Sequence, residues 1–394
     1  MLALAIYFWK ETVLKELRFH GRSIITGRGS LASLQNIAAQ RVFVVTGGQS
    51  MFANQTIAKI DTLLRSRNIA VKVHAGIPIN PHVGAIVDGI ASMREFAPDT
   101  VIGVGGGAAM DAAKLMAVFY ENPDLDIETT FRAGLPQERK HIQLICIPGT
   151  SGTASEVTPF AVLTYPADKL KLGARSPALV PDLAILDAEI TLSMPANVAA
   201  ETGIDALTHA IECFTNPSVE EFASCLAAGA VEGLFTYLRS SVLNGDIDSR
   251  EKVHHYQSMA GCAFSNAGTG MGHGVAHAFG GRFDLGHGLL NAVALPHVIR
   301  FNSRDPRSRD RYAYLARRIG ADDLALAVLA LNQSIGIPAS FAAIGVPETA
   351  FEQEIEILVE NSLKGSTRVN PVPVTTEDMR VFLRDVFTGK ALDI

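Results

Sequence analysis

The sequence predicts an α/β amino-terminal domain with a parallel sheet, followed by a carboxy-terminal domain built from helices alone. Two observations support this division. Up to about residue 187, short apolar runs alternate with helical stretches, which is typical of a parallel sheet covered on both faces. From about residue 195 onward the pattern is almost wholly helical. We therefore predict two closely apposed domains, residues 1–190 and 191–394, with a cleft between them.

The strands of the first domain are predicted from its apolar runs, which are RVFVV, AVKVH, TVIGV, IQLICI, FAVLTY and LAILD. We expect all six in the parallel sheet. The run Thr100–Val104 leads into a glycine turn and then a helix from about Ala108. The three glycines of that turn are Gly105, Gly106 and Gly107. Backbone amides at such a turn and at a helix N-terminus bind phosphate, so this loop is a candidate nucleotide site.

A second candidate loop follows the run IQLICI and is rich in hydroxyl side chains. Its hydroxyl-bearing candidates are Thr150, Ser151 and Thr153. Alone, each loop has an ordinary alternative, because small residues also suit tight turns and hydroxyl-rich loops are often only turns. A dinucleotide lying across both loops would explain them together, which makes the first domain a Rossmann-like dinucleotide-binding domain.

Four residues of the second domain predict one metal site. They are Asp205, His209, His273 and His287. Asp205 and His209 are four residues apart, so both side chains lie on one helix face. The other two lie in a glycine-dense segment, where little side-chain bulk separates the backbone from a bound ion. A carboxylate with three imidazoles suits Fe(II), Zn(II), Mn(II) or Co(II), although an Asp–His pair at this spacing is often only a surface or capping pair.

The helices of the second domain are predicted from apolar spacing. Pro195 opens the helix that carries Asp205 and His209. Further helices are predicted over residues 219–243, 250–267, 289–302, 308–319, 322–335, 348–363 and 375–388. His297 and the pair His254–His255 have no motif around them, and we interpret them as structural or solvent-facing.

Four segments carry a family resemblance: GGGAAMDAAK, PGTSGTASEVT, GIDALTHAIE and GHGVAHAFGGRFDLGHG. In that order and at those separations, they resemble the signature segments of the group III, iron-containing alcohol dehydrogenases, from about Phe19 to the carboxy terminus. The resemblance implies that the four metal candidates hold Fe(II) or Zn(II) and that the three glycines contact the pyrophosphate of NADP or NAD. It also implies that Thr150 and Thr153 lie near the nicotinamide end and that Lys171 reaches a ribose hydroxyl or phosphate. Asp111 could face the cofactor, whereas Lys114 could simply be solvated.

His277 is the candidate catalytic residue. It lies four residues after His273, hence on the same helical face and close to the metal. The resemblance implies a proton relay, in which a neutral imidazole takes the proton of the alcohol. The alternative is that His277 only orients a metal ligand.

The loop after the first predicted strand bears on cofactor choice. The sequence has Gly47, Gly48 and Ser50 there, where relatives that prefer NAD often carry an acidic residue at the position of Gly47. An acid would bond the ribose 2′-hydroxyl and repel a 2′-phosphate. Its absence favours NADP(H), although a glycine turn tolerates either cofactor.

The activity implied is NAD(P)-linked interconversion of an alcohol and its aldehyde or ketone. A hydroxyacid dehydrogenase or transhydrogenase of the same superfamily is one alternative, and a dehydroquinate-synthase-like lyase is another. The lyase would need several cations near the metal histidines to bind a phosphorylated substrate, and only Arg282 lies in that segment. The relatives also imply a homodimer or a larger homo-oligomer.

Bulk properties favour a soluble cytoplasmic enzyme with a small-molecule substrate. The 394-residue chain has a net charge of −6 and no basic run, which argues against nucleic acid as a partner. The four cysteines show neither CxxC spacing nor a disulfide pattern, as expected in a reducing compartment. The apolar start MLALAIYFW is too short to cross a membrane, so we expect a packed or edge segment.

Overall fold

The computed structural model describes residues 17–165 and 170–390 of the chain, and the fold is given for these residues. The apolar start, for which we expected a packed or edge segment, lies outside them. Within the described part, strands and helices alternate up to residue 186 and helices alone make up the regular structure from residue 196 onward. The predicted order of an α/β region followed by a helical region is confirmed.

Six of the eight strands in the described residues form one parallel sheet, in the order β1-β8-β5-β4-β2-β3. The strands are β1 (Ser23–Thr26), β2 (Arg41–Thr46), β3 (Ala70–His74), β4 (Thr100–Gly105), β5 (Gln143–Pro148), β6 (Phe160–Tyr165), β7 (Leu170–Arg175) and β8 (Leu183–Leu186). The chain runs outward from β2 to β3 and then crosses to β4 on the other side of β2. This reversal places the ends of β2 and β4 at the position where open α/β sheets bind ligands.

Helices cover both faces of the sheet. They are α1 (Ser50–Ala53), α2 (Thr56–Arg65), α3 (Val83–Phe96), α4 (Gly107–Glu121) and α5 (Ile127–Ala133). Alternate residues of β2 enter two different apolar clusters, with Phe43 and Val45 in one and Val42 and Val44 in the other. Burial on both sides explains why the strand reads as a continuous apolar run.

The run FAVLTY was predicted to join the parallel sheet, and this prediction is wrong. It forms β6, which pairs antiparallel with β7 in a separate two-stranded sheet. Only alternate residues of β6 are buried: Ala161, Leu163 and Tyr165 pack with α4. The outward positions Phe160 and Val162 are also apolar, so the alternation was hidden in the sequence. The short edge strand β1, which pairs with β8, was not predicted at all.

Nine helices make up the second region of the described chain. They are α6 (Ala196–Thr215), α7 (Glu221–Leu243), α8 (Ile247–Ala267), α9 (Met271–Phe283), α10 (His287–Asn302), α11 (Pro306–Arg318), α12 (Leu324–Ser334), α13 (Glu348–Ser362) and α14 (Thr376–Thr388). Every helix predicted there is present within a few residues, and Pro195 is the residue preceding α6. Short polar side chains begin many of them; Asp246, for example, accepts a hydrogen bond from the Ser249 amide at the start of α8. None of the described helices has the length and apolarity needed to span a membrane.

Candidate metal and cofactor site

Helix α6 presents three acidic or imidazole side chains on one face. Asp205, His209 and Glu212 lie at spacings of four and three residues, which is the repeat of a helix face. All three are buried. The sequence singled out the first two, whereas Glu212 was not recognised.

Two further helices bring imidazoles to this face. His273 lies in the first turn of α9, and His287 is the first residue of α10. The Oδ1 atom of Asp205 lies 3.9 Å from Nε2 of His273 and 3.7 Å from Nε2 of His287. The ligand atoms of these three residues all lie within 4.8 Å of one another, a span that one ion can bridge.

His209 stands beside this group rather than inside it. Its Nδ1 atom lies 3.9 Å from Oδ2 of Asp205, and its ring centroid is 4.3 Å from that of His273. The other face of the His209 ring stacks on Phe264, with centroids 4.2 Å apart. The four residues predicted as ligands therefore lie together, with the His209 ring packed against Phe264.

Two imidazole nitrogens in this cluster are buried without any hydrogen-bond partner, namely Nδ1 of His209 and Nε2 of His273. Buried polar atoms are almost always satisfied in native proteins, so an orphaned pair facing one carboxylate indicates a missing ligand. One carboxylate and three neutral imidazoles are the donors that Fe(II) and Zn(II) accept. The residues present therefore fit a divalent metal ion.

Two side chains outside the predicted ligand set form hydrogen bonds with its members. Glu212 accepts from Nδ1 of His273 at 2.6 Å, and Asn291 donates to Oδ1 of Asp205 at 2.8 Å. Asn291 lies four residues after His287 on α10, so the two share a face. Sequence reasoning missed both residues, although each stands at helical spacing from a predicted ligand.

The glycines around the histidines are explained by helix contacts. A Cβ on Gly288 would lie 2.3 Å from the carbonyl oxygen of Glu201 and 3.3 Å from Cβ of Asp205. A Cβ on Gly272 would lie 2.8 Å from Oε1 of Glu212. The starts of α9 and α10 thus pack against α6 at distances that only glycine allows.

Burial and mutual contact shift the protonation of the cluster. Burial lowers the pKa of His209 and of His287 to about 3, so both rings are neutral near neutral pH. Burial alone would raise the pKa of Asp205, but the facing imidazoles outweigh it and keep the pKa of that carboxyl below its ordinary value. The carboxylate and these two imidazoles are therefore in the forms that bind metal.

His277 lies beside the cluster on α9, partly exposed. Its ring stacks on that of His287, with centroids 4.9 Å apart. Burial, followed by the unfavourable interaction of a charged His277 ring with His287, His273 and Lys171, lowers the pKa of His277 well below its ordinary value. The ring is therefore neutral, and it lies next to the proposed metal ligands.

The candidate cofactor loops all follow the carboxyl ends of neighbouring strands. Gly47 follows β2, Gly106 and Gly107 follow β4, and the hydroxyl-rich loop follows β5. The amide of Gly149 donates to the carbonyl of Gly105 at 2.7 Å, which ties the loops after β4 and β5 together. Gly105 has φ +130°, so this turn needs glycine. Ser50 is the exposed first residue of α1.

The hydroxyl-rich loop contacts both the glycine turn and the helix that carries two of the candidate metal ligands. A Cβ on Gly107 would lie 2.8 Å from the side chain of Thr153, so Thr153 packs on the start of α4. A Cβ on Gly152 would lie 2.7 Å from the carbonyl oxygen of Thr202 on α6. Thr150 lies next to Gly106 in the same loop. The loop therefore abuts the helix that carries Asp205.

Helix α8 anchors this loop through residues that the sequence did not suggest. The Ser151 hydroxyl bonds to Nδ1 of His254 at 2.9 Å, and both side chains are buried. The side chain of Gln257 accepts from the Ala154 amide at 3.0 Å and donates to Glu156. His254 was interpreted as structural or exposed; its contact with the loop makes it part of the loop's support.

Asp111 and Lys114 lie together, with Lys114 Nζ 3.9 Å from Oδ1 of Asp111, whereas Lys171 lies beside α9. Both oxygens of Asp111 accept hydrogen bonds from the protein, one from the Ser155 hydroxyl at 2.6 Å and one from the Val162 amide at 2.9 Å. The sequence left open that Lys114 is solvated. Instead it is fully buried and donates to the carbonyl of Phe160 at 2.8 Å. Lys171 on β7 lies beside α9, because its Nζ would be 3.3 Å from a Cβ on Gly280.

Comparison with known proteins shows which family the chain resembles. Residues 21–188 match the family described as iron-containing alcohol dehydrogenase, and residues 199–387 match the carboxy-terminal region of the Fe-containing alcohol dehydrogenase family. The chain is 36% identical to an NADPH-dependent butanol dehydrogenase of Clostridium saccharobutylicum, over 94% of this chain and 98% of that protein. It is 37% identical to a 1-propanol dehydrogenase of Salmonella typhimurium, over 92% and 97%. An iron-containing alcohol dehydrogenase of Thermococcus thioreducens superposes with a TM-score of 0.88 at 32% identity, over 96% and 100%.

Proposed function

The chain belongs to the iron-containing alcohol dehydrogenase family, and on that premise we propose which of its residues carry the chemistry and which substrates it takes. The enzyme is a metal-dependent, NAD(P)-linked dehydrogenase that interconverts an alcohol and its aldehyde or ketone. The observation that supports our residue assignment most strongly is the pair of orphaned, buried imidazole nitrogens facing Asp205.

We assign the metal to Asp205, His209, His273 and His287. These residues would hold the ion, which when bound would supply Lewis acidity at the oxygen of the alcohol or carbonyl, and bound NAD(P) would supply the hydride acceptor or donor. The side chains of α6, α9 and α10 hold the donor atoms in place. Because burial keeps His209 and His287 neutral, no proton has to leave these two rings before they act as ligands near neutral pH.

His277 takes the role of proton acceptor in alcohol oxidation and of proton donor in the reverse direction. Its neutral ring stands beside His287 and is partly exposed, so a proton can pass on to solvent. Burial favours the neutral form of the ring most strongly, and His287, His273 and Lys171 add to this effect. These contacts support a relay at one imidazole nitrogen of His277.

The loops that follow β2, β4 and β5 would hold the cofactor. We assign its pyrophosphate to the amides around Gly105, Gly106 and Gly107, and its nicotinamide end to Thr150, Ser151 and Thr153 near α6. Gly47 and Ser50 would adjoin the adenosine ribose, and the absence of an acidic side chain at Gly47 favours NADP(H). We assign Lys171 to a ribose hydroxyl or phosphate of the cofactor, and Asp111 to the same site, where it accepts a hydrogen bond from the Ser155 hydroxyl.

The substrate is a small aliphatic alcohol or aldehyde. Phe160, Phe264 and the His209 ring form a continuous stack, with the Phe160 and Phe264 centroids 5.9 Å apart. Such an apolar wall beside the metal suits an alkyl chain, and the relatives in Clostridium and Salmonella are named for butanol and 1-propanol. The dehydroquinate-synthase-like lyase would need cations near the metal histidines to bind a phosphorylated substrate. The candidate for that role, Arg282, has its guanidinium paired with Glu354.

The activity is tested with a panel of straight-chain aldehydes and with NADPH oxidation followed by absorbance, using metal-loaded protein. We expect turnover with C3 and C4 aldehydes and weaker turnover with carboxylate-bearing ones. Oxidation of NADPH only with ketoacids would support the hydroxyacid dehydrogenase instead. Failure with every carbonyl, despite bound metal, would overturn the assignment.

We further propose a two-domain enzyme divided near residue 190, assembled as a homodimer in the cytoplasm. The last sheet strand ends at Leu186 and α6 begins at Ala196, which supports the division.

Among the described residues β1 has a strand neighbour on one side only, and an apolar cavity of about 710 Å³ lies beside it. A second copy pairing with this edge would cover both, and light scattering of the purified protein tests it. None of the four cysteines, all of which lie in the described part of the chain, forms a disulfide, and this suits a reducing compartment.

A further inference from the structure

Glu212 is a buried carboxylate that the mechanism above does not use. It lies on α6, three residues after His209, and its side chain is 2% exposed. Its partners among the described residues are two backbone amides and one imidazole. A carboxyl group this deeply buried needs hydrogen-bond partners, and these three donors provide partners for both of its oxygens.

The three hydrogen bonds join the start of α9 to α6. Oε2 of Glu212 accepts from the Gly270 amide at 2.9 Å and from Nδ1 of His273 at 2.6 Å. Oε1 accepts from the Gly272 amide at 2.6 Å. One side chain thus satisfies two of the free amides at the helix N-terminus and one nitrogen of a proposed metal ligand.

This geometry decides which nitrogen of His273 can bind metal. A carboxylate can only accept, so Nδ1 carries a ring proton and Nε2 is the nitrogen left for a ligand. Nε2 is the buried nitrogen without a hydrogen-bond partner, 3.9 Å from Oδ1 of Asp205. The bond to Glu212 therefore presents Nε2 to the site and prevents the ring from turning.

The backbone around His273 is shaped to admit this contact. A Cβ on Gly270 would lie 3.0 Å from Oε1 of Glu212, and a Cβ on Gly272 would lie 2.8 Å from the same atom. The residues on either side of Met271 are therefore glycines because the carboxylate occupies the space of a side chain. An ordinary helix start would not need this approach, since solvent or a short polar side chain can cap it.

We propose that Glu212 is a positioning residue for the metal centre: it fixes the orientation and tautomer of His273 and links the ligands of α6 to that of α9. This inference depends on the proposed metal site and adds a residue that touches neither metal nor substrate. In metal sites generally, loss of a carboxylate that accepts a hydrogen bond from a metal-binding imidazole lowers metal affinity by about 10- to 100-fold.

The experiment measures Co(II) affinity by competition with a coloured chelator, together with the visible spectrum of the Co(II) protein. Glu212→Gln keeps the size of the side chain and removes the charge. We expect about 10- to 100-fold weaker Co(II) binding and a shifted d–d band. The matched control is Asn370→Ala, because Oδ1 of Asn370 accepts from the Met271 amide at 3.3 Å in the same first turn of α9. It should lower thermal stability while leaving Co(II) affinity unchanged.

Two further variants keep the test decisive. Glu212→Asp retains the charge but is one methylene too short to reach all three donors, so it should weaken Co(II) binding even if Glu212→Gln fails to fold. In a His273→Ala background, Glu212→Gln should cause no additional loss of affinity, since the two residues act through one contact. Loss of stability without a change in affinity or spectrum would reduce Glu212 to a helix cap and overturn the inference. If His273→Ala itself leaves Co(II) binding intact, the metal-site assignment fails instead.

Discussion

Oδ1 of Asp205 lies 3.7 Å from Nε2 of His287, across the contact between α6 and α10. Asn291 donates to the same oxygen from the next turn of α10. This close approach is possible because Gly288 lets α10 begin against the backbone of Glu201. Helix packing, rather than a flexible loop, therefore determines the geometry of the site.

Replacement of His287 tests the ligand set. His287→Ala removes one donor, so we expect less than one metal ion per chain and a loss of turnover of at least about 100-fold. His297→Ala is the control, because His297 lies on the same helix but packs against Phe382. Metal content by plasma mass spectrometry and NADPH turnover give the readouts. Equal metal content in both variants would exclude His287 as a ligand.

Replacement of Gly47 tests the cofactor preference. A Cβ at Gly47 would meet only the Ile77 carbonyl oxygen, at an ordinary 3.6 Å, so Gly47→Asp should fold normally. The new carboxylate would repel a 2′-phosphate and accept from a ribose 2′-hydroxyl. We expect the ratio of kcat/KM for NADPH over NADH to fall by about 100-fold, equivalent to about 3 kcal/mol. Gly48→Ala serves as the control for changes in the turn. A wild-type enzyme that accepts only NADH would contradict the premise.

Replacement of His277 separates proton transfer from metal support. His277→Ala should lower kcat for alcohol oxidation by about 10²- to 10⁴-fold and leave metal content unchanged. Part of the loss should be recovered at high pH, where solvent can take the proton directly. The measurement is the pH profile of kcat for the wild type and the variant. If metal content falls in proportion to activity, His277 only orients the ligands.

His254 should make the protein sensitive to acid. Burial lowers its pKa to about 3, whereas the unfolded chain carries an ordinary histidine. As the pH falls through about 6.5, the unfolded state takes up a proton that the folded state refuses, so stability is lost. Between pH 7 and pH 5 this loss is about 2 kcal/mol for one such residue. Urea unfolding of the metal-free protein should show a smaller loss for His254→Gln than for the wild type. An equal loss in both proteins would show that His254 does not carry the effect.

The sequence allowed much of this arrangement to be predicted, for identifiable physical reasons. Asp205 and His209 share a helix face because of their spacing, and the glycine turn after β4 is recognisable beside its apolar strand. Glu212 could not be predicted, because a carboxylate on a helix acquires its role only when α9 begins against it. The antiparallel pairing of β6 was not predicted, because Phe160 and Val162 on its outer face are apolar and hide the alternation. The burial of Lys114 was not predicted, because the carbonyls to which it donates belong to a distant segment.

The central claim is that one ion sits among Asp205, His209, His273 and His287. Anomalous diffraction at the absorption edge of the bound metal, from crystals of the loaded enzyme, tests it most directly. We predict a single strong peak within about 2.0–2.3 Å of a carboxylate oxygen and of imidazole nitrogens from these residues. A peak elsewhere in the chain, or one that touches none of the three histidines, would contradict the account.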